Sequence, residues 1–353
     1  MPAPLSETTF GPTLILDIGS GTQDVLYHFP GLEIENCPKF VLPAPARRVA
    51  ARITEAAGRP LWLHGRNMGG GFFRALKGHL DQGGKVAAEP SAAFSLGDDL
   101  ERVQALGVEI REYRPEGYEP LHLTDFDPDF WNALLGLAGL PRPESVMACA
   151  QDHGFHPGAS NRLGRFKLWE RLLLGAQGRP EALLYDAVPK EMTRLADLQR
   201  SLGGGLVADT GAAAVLGALY VNDIASLSRD RGITVVNLGN SHLIAFLVFQ
   251  ERIWGVYEQH TGLVDAFKLR SDLDRFRRGE LPFEQVFEDR GHGCLTLNLP
   301  PEAGDFSPTF VLGPQRALLK GDDVSFPAPG GDMMLAGCFG MLKGRALKSH
   351  LPH

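Results

Sequence analysis

Only four cysteines occur in 353 residues, Cys37, Cys149, Cys294 and Cys338, and they form no C-x-x-C pair and no zinc-like spacing. That scarcity excludes a disulfide framework and a compact cysteine motif for an iron–sulfur cluster, and it leaves the four as core residues. No stretch approaches the roughly 18 unbroken apolar residues of a membrane span. The opening MPAPLSETTFG lacks the basic start and apolar centre of a secretory leader, so a cytoplasmic location is expected. Positive charge is in deficit, with 35 Lys and Arg against 42 Asp and Glu. A net charge of −7 gives no reason to expect nucleic acid or an anionic membrane as partner. The basic run RFRR, residues 275–278, reads as a solvated helix end.

The composition present is that of a folded chain: 44% hydrophobic, 22% charged, with 42 glycines and 25 prolines to make tight turns. Its length exceeds what one hydrophobic core usually serves, so two domains are expected.

Residues 13–29 read strand, glycine turn, strand, with Leu14, Leu16, Ile18, Val25 and Tyr27 in period-two alternation. A helix is expected over 46–57, then a buried strand PLWLHG leading through RNMGGG into another helix. SLGDDLERVQALG reads as a helix capped by Ser95 three residues before Asp98, followed by a strand over 108–113. Residues 121–137 read as a loop and a helix, and SVMACAQDHG as a buried strand ending at Asp152 and His153. This alternation points to an α/β domain. Farther on, GITVVNLGNSHLIAFLVF repeats the opening design, with Asn237 where the first hairpin has Asp17, so a duplicated architecture is expected.

A turn built from Gly19, Ser20, Gly21 and Thr22 aims backbone N–H groups at one spot, and its glycines let an anion approach. A carboxylate beside it, Asp17, suits Mg²⁺. The run GSGTQD lacks the third glycine of the dinucleotide fingerprint and continues as a strand, and no G-x-x-x-x-G-K-[ST] occurs. Three further glycines, Gly69, Gly70 and Gly71, precede a helix and offer a second anion or substrate pocket.

The order DIGSGT, VADTGAAAVLGAL, VVNLGNSHLIAFLV, GDMMLAGCFGML resembles the superfamily of sugar kinases, seventy-kilodalton heat-shock chaperones and actin. The resemblance implies an α/β fold of two similar actin- or ribonuclease-H-like domains around a central cleft, residues 1–228 and 229–353. It implies ATP and Mg²⁺ as cofactors. Asp17, Gly19, Ser20, Gly21 and Thr22 match the first phosphate hairpin, Asn237, Gly239 and Asn240 the second, and Gly337 the adenosine-side turn. The helix over 212–219 would touch one beginning near Gly337, and Ala212, Ala213, Ala214 and Gly217 permit close approach. Two departures stand out: Asn237 replaces the usual aspartate, and Cys338 follows Gly337 where a second glycine is usual. At closer range NMGGGFFRALKGHLDQG, DDLERVQALGVE, EQHTGLVD and GHGC resemble a family labelled as a pyruvate formate-lyase activating enzyme. That label implies radical chemistry on a cluster held by three closely spaced cysteines, which this chain lacks.

Histidines beside glycine or carboxylate recur at strand ends and turns: Asp152 with His153, His242 after Asn240, Glu258 with His260, and His292 in DRGHG. Such groups serve as general bases or metal ligands. Asp152, at the end of a buried strand, is the expected base, with His153 as its substitute or positioning partner. Asn161, Arg162 and Arg165 would clamp an acidic substrate or phosphate. The leading expectation is a kinase or ATPase acting on a small-molecule substrate, with no nucleic acid or membrane and with a homo-oligomer left open. The alternatives are a metal-dependent hydrolase or lyase using His242, His260 and His292, or a non-catalytic nucleotide sensor.

Overall fold

The computed structural model describes residues 11–157 and 160–349, so MPAPLSETTF and Ala159 of the ASNRLGRF stretch lie outside the described residues. The first hairpin forms as the alternation requires. Thr13–Ile18 and Thr22–His28 pair antiparallel, with Asp17 opposite Asp24. Lys39–Pro43 extends the sheet beyond the second strand. On the other side lie Ser145–Ala150, parallel to Thr13–Ile18, then Val207–Ala208 and Leu184–Tyr185. Both faces are covered: Leu14, Leu16 and Ile18 enter one apolar cluster, and Ile15 and Leu26 enter another. Burial on both faces explains why the central strand is apolar almost throughout.

A second sheet repeats the plan. Ile233–Leu238 and His242–Phe249 form its hairpin, Arg252–His260 and Gly293–Thr296 extend it, and Thr309–Leu312 lies parallel to Ile233–Leu238. In each sheet a central strand has an antiparallel meander on one side and a parallel strand on the other. The two similar α/β halves around a cleft, implied by the repeated hairpins, are the observed architecture.

A third sheet was not legible as such. Val108–Ile110, Val86–Ala88, Leu61–Gly65 and Glu119–Leu123 lie side by side, all parallel, over a core of their own. Residues 121–137 are therefore a strand, a short loop and the helix Pro128–Leu137, not a loop and a helix. The strand is five residues long, and only Leu121 and Leu123 within it are buried, too short a signal to separate from a loop. The expected cap at Ser95 is also corrected. Asp99 caps the helix Leu100–Ala105 by accepting from Glu101 and Arg102 N–H, while Ser95 Oγ accepts from Met68 N–H at 2.9 Å.

Helices Thr210–Tyr220 and Ala336–Ser349 cross in the contact that the small residues allow. A Cβ on Gly217 would lie 2.1 Å from the Ala336 carbonyl oxygen, and one on Gly340 would lie 1.8 Å from that of Ala213. Among the described residues no single helix is long and apolar enough to cross a membrane.

Candidate functional site

The two glycine turns meet tip to tip. Each closes with the same hydrogen bond, Gly19 N–H to Thr22 O at 3.0 Å and Gly239 N–H to His242 O at 2.9 Å. Between them Ser20 Oγ lies 2.7 Å from Ser241 Oγ. None of Gly19, Gly21 and Gly239 has a positive φ. Their need for glycine is one of space: a Cβ on Gly21 would sit 2.7 Å from Asn240 Nδ2. Glycine at Gly21 is thus needed for the approach of the other hairpin.

Below the turns lies a cleft of about 520 Å³, lined from all three sheets. The helices beginning at Thr210 and Ala336 both turn their N-terminal residues into its wall, so their positive dipole ends favour an anion there. The buried Thr210 hydroxyl has no hydrogen-bond partner among the described residues. Opposite, the third sheet brings its carboxyl ends to the same space through Asn67, residues 69–71, Ser95 and Asp125, the usual ligand-binding end of a parallel sheet.

Asp17 and Asp24 stand opposite each other across the first hairpin. Asp17 Oδ1 accepts from Cys149 Sγ at 3.2 Å, and its other oxygen lies against Gly337, where a Cβ would come within 2.1 Å. Burial pushes Asp17 up to about 6, a rise that the Asp209 carboxylate adds to and the Cys149 contact opposes. Burial, then the Asp17 charge, pushes Asp24 up to about 8. Asp24 Oδ1 is buried with no hydrogen-bond partner among the described residues. Two desolvated carboxylates, one with an orphan oxygen, fit a hard divalent cation such as Mg²⁺. Gly337 lies inside the first turn of its helix, packed on Asp17, and lines the cleft from there.

The arginines expected at a substrate are held by protein partners. Arg165, 3% exposed, binds Asp209 at 2.8 Å, Glu258 at 2.7 Å and the Asp152 carbonyl at 2.6 Å. It therefore joins the first sheet to the second, and it also lines the cleft. Arg162 is absent from the cleft lining, since it donates to the Phe287 and Gly291 carbonyls and stacks 4.1 Å over the Phe287 ring. Asn161, at the start of helix Asn161–Ala176, does line the cleft. Asp152, the expected base, lines the cleft with both oxygens engaged: Oδ1 accepts from Gly154 N–H at 2.8 Å and Oδ2 from Leu195 N–H at 2.9 Å. Burial raises its pKa despite those bonds.

The triple glycine loop packs on three sides, with Cβ positions 2.7 Å from Arg194 Nη2 for Gly69, 3.1 Å from Ser95 O for Gly70 and 3.2 Å from Ala46 Cβ for Gly71. The helix that follows begins at Phe73. Asp125 ties the loop down, accepting from Arg194 at 2.7 and 3.0 Å and from Gly69 N–H at 3.4 Å. Asp125, Arg194, Asp209 and Cys149 escape sequence reading because their partners are remote, for instance 69 positions apart for Arg194 and Asp125.

The histidine turns do converge. His153 faces His292 with ring centroids 5.0 Å apart, and His242 lies 5.1 Å from His292 and 4.6 Å from His260. Strand register explains part of this, since His242 pairs with His260 and His292 precedes Gly293–Thr296 at the same sheet end. The group whose ligating atoms all lie within 4.8 Å of one another is His153, His242 and His292, so His153 replaces His260 in the set expected from sequence. The four cysteines are buried, and among the described residues no cysteine joins a group of three metal-capable side chains. The chain's thiols therefore do not fit an iron–sulfur cluster.

A family model described as "Putative pyruvate format-lyase activating enzyme (DUF1786)" matches residues 68–318. No curated protein matches the chain. Solved structures similar to it include the activator of 2-hydroxyisocaproyl-CoA dehydratase from Clostridium difficile with bound ADPNP, 10% identical over 97% of this chain and 98% of that one, with a TM-score of 0.33. The apo psk41 parM protein is 11% identical over 97% and 99%, with a TM-score of 0.36. The ethanolamine utilization protein EutJ from Carboxydothermus hydrogenoformans is 10% identical over 96% and 90%, with a TM-score of 0.32. These likenesses are remote, and the fold rests on the strand order of the two sheets themselves.

Proposed function

This chain belongs to that family, and for it we propose that the cleft binds a nucleoside triphosphate, ATP, together with Mg²⁺. The observation that carries the reading is convergence. Two matched glycine turns and two helix N-termini face one cleft, and a half-buried and a buried carboxylate, Asp17 and Asp24, stand beside them. A single glycine turn or helix end binds anions unspecifically; four such elements on one volume suit a chain of phosphates.

In this reading Gly19, Ser20, Gly21 and Thr22 hold phosphates from one side, and Gly239 and Asn240 hold them from the other. Asp17 and Asp24 would hold Mg²⁺, which when bound offsets phosphate charge. Asn237 stands in place of an acid on the second hairpin, so the carboxylates of the first hairpin carry the metal role alone. The carboxyl ends of the third sheet, with the loop over Gly69, Gly70 and Gly71, would seat a small acceptor for the γ-phosphoryl group. Hydrolysis coupled to closure of the two domains is the other outcome compatible with this layout.

Equilibrium dialysis with labelled ATP, with and without Mg²⁺, tests binding, and product analysis separates transfer from hydrolysis. Saturable binding that needs Mg²⁺ and weakens in Asp17→Asn is expected. Binding that ignores both would remove the metal role.

A further inference from the structure

We propose that His153, His242 and His292 bind one divalent transition-metal ion of the Zn²⁺ class, and that this ion links the two domains at the wall of the cleft. His153 comes from the loop after Ser145–Ala150 in the first sheet. The other two come from the second sheet, His242 at the first position of its strand and His292 just before Gly293–Thr296. Their ligating nitrogens lie within 4.8 Å of one another. Ligands about 2.0–2.1 Å from a tetrahedral ion stand about 3.3 Å apart, so the ligating atoms need to draw together by at most about 1.5 Å.

A second observation points to a ligand. His292 is 3% exposed, and both its ring nitrogens are buried with no hydrogen-bond partner among the described residues. Imidazoles gathered for packing alone would satisfy those nitrogens with main-chain groups or with each other, because a buried unpaired polar atom is costly. The surroundings also keep the lone pairs available. Burial, aided by the Arg165 charge, pushes His292 down to about 3 and His242 down to about 4, against the opposing pull of Glu258, and lowers His153 as well.

The donor set decides the class of ion. Three neutral imidazole nitrogens suit Zn²⁺, Co²⁺ or Ni²⁺, whereas Mg²⁺ and Ca²⁺ take oxygen. Three protein ligands leave a fourth position open. His153 and His242 line the cleft, so that position faces the space assigned above to the nucleotide. His260 flanks the group 4.8 Å from the His292 ring but lies outside it. Glu258 supports the site from behind: its carbonyl accepts from His292 N–H at 3.1 Å, while its carboxylate is held by Arg165 and Gln151.

The test uses the full chain with no histidine tag, stripped by chelator. Zn²⁺ titrated against a chromophoric competitor should bind at one ion per chain, tighter than about micromolar. Co²⁺ should give the visible bands of a four-coordinate nitrogen site. His153→Ala, which alters a half-buried ring, and His292→Ala should each weaken Zn²⁺ binding by more than about tenfold, while His260→Ala and Asp17→Asn leave it intact. Zn²⁺ should raise the unfolding midpoint of the wild type and not that of His153→Ala. Absence of stoichiometric Zn²⁺ binding, or binding unchanged in a folded His153→Ala variant, would overturn the proposal. Loss on His260→Ala equal to that on His292→Ala would overturn the ligand set.

Discussion

Ser20 and Ser241 stand 221 positions apart in the chain, and their hydroxyls meet at 2.7 Å across the mouth of the cleft. The contact ties the two turns together at their tips; under the proposed function it borders the space for phosphates. Gly21, next to Ser20, is the sensitive neighbour, because a Cβ there would meet the Asn240 side chain at 2.7 Å. Gly21→Ala should lower affinity for Mg·ATP by about tenfold while shifting the unfolding midpoint little, since the Asn240 amide can swing aside at the surface. Ser20→Ala should have a smaller effect on both. Calorimetric titration of the two variants checks this.

The helix crossing is less forgiving. At Gly217 and Gly340 the obstructing atoms are main-chain carbonyls at 2.1 and 1.8 Å, which no rotamer change relieves. Gly217→Ala and Gly340→Ala should each destabilise the protein by about 1–3 kcal/mol through overpacking. Urea unfolding of each variant measures it.

Arg165 is placed to be expensive to remove. Its guanidinium is buried between Asp209 and Glu258. Arg165→Met would strand two buried carboxylates and should cost about 3–5 kcal/mol. The loss should shrink in the triple variant Arg165→Met, Asp209→Asn, Glu258→Gln, in which no charge is left unpaired. Chemical unfolding of both variants gives the comparison.

The first hairpin sets a pH dependence. Asp24 titrates at about 8 in the folded protein and Asp17 at about 6, against 3.8 for an ordinary aspartate. A raised folded pKa means that the native state holds protons the unfolded chain has released, so stability falls as pH rises through these values. Buried histidines oppose this trend only below about 6.5. Between pH 6.5 and 8, in chelator, the wild type should lose stability by up to about 1.4 kcal/mol per pH unit, and Asp24→Asn should be nearly flat. Mg²⁺ together with nucleotide should abolish the slope. Urea midpoints across that window provide the readout.

What was legible from the chain is what local pattern encodes. Period-two alternation around Gly19 and around Gly239 is enough to place both hairpins, and the small residues over 212–217 are enough to place a helix contact. The parallel sheet was missed because three-residue strands such as Val86–Ala88 carry no periodicity. Residue type alone suggests base and clamping roles for Asp152 and Arg165, but not the partners that hold them: backbone N–H groups for Asp152 and carboxylates 44 and 93 positions away for Arg165. Histidine convergence depends on register: His242 lies opposite His260 only once the strand Arg252–His260 is known to pair back on its neighbour.

The central claim, that the carboxylate and glycines of the first hairpin serve a nucleotide, is tested most directly by the thermal midpoint with and without millimolar Mg·ATP, for the wild type beside Asp17→Asn. At one hundred times Kd, ligand stabilises the native state by about 2.7 kcal/mol, a readily detected upward shift. A shift in the wild type that is lost in Asp17→Asn is the expected result. No shift with Mg·ATP or Mg·ADP in either protein would contradict nucleotide binding in this cleft.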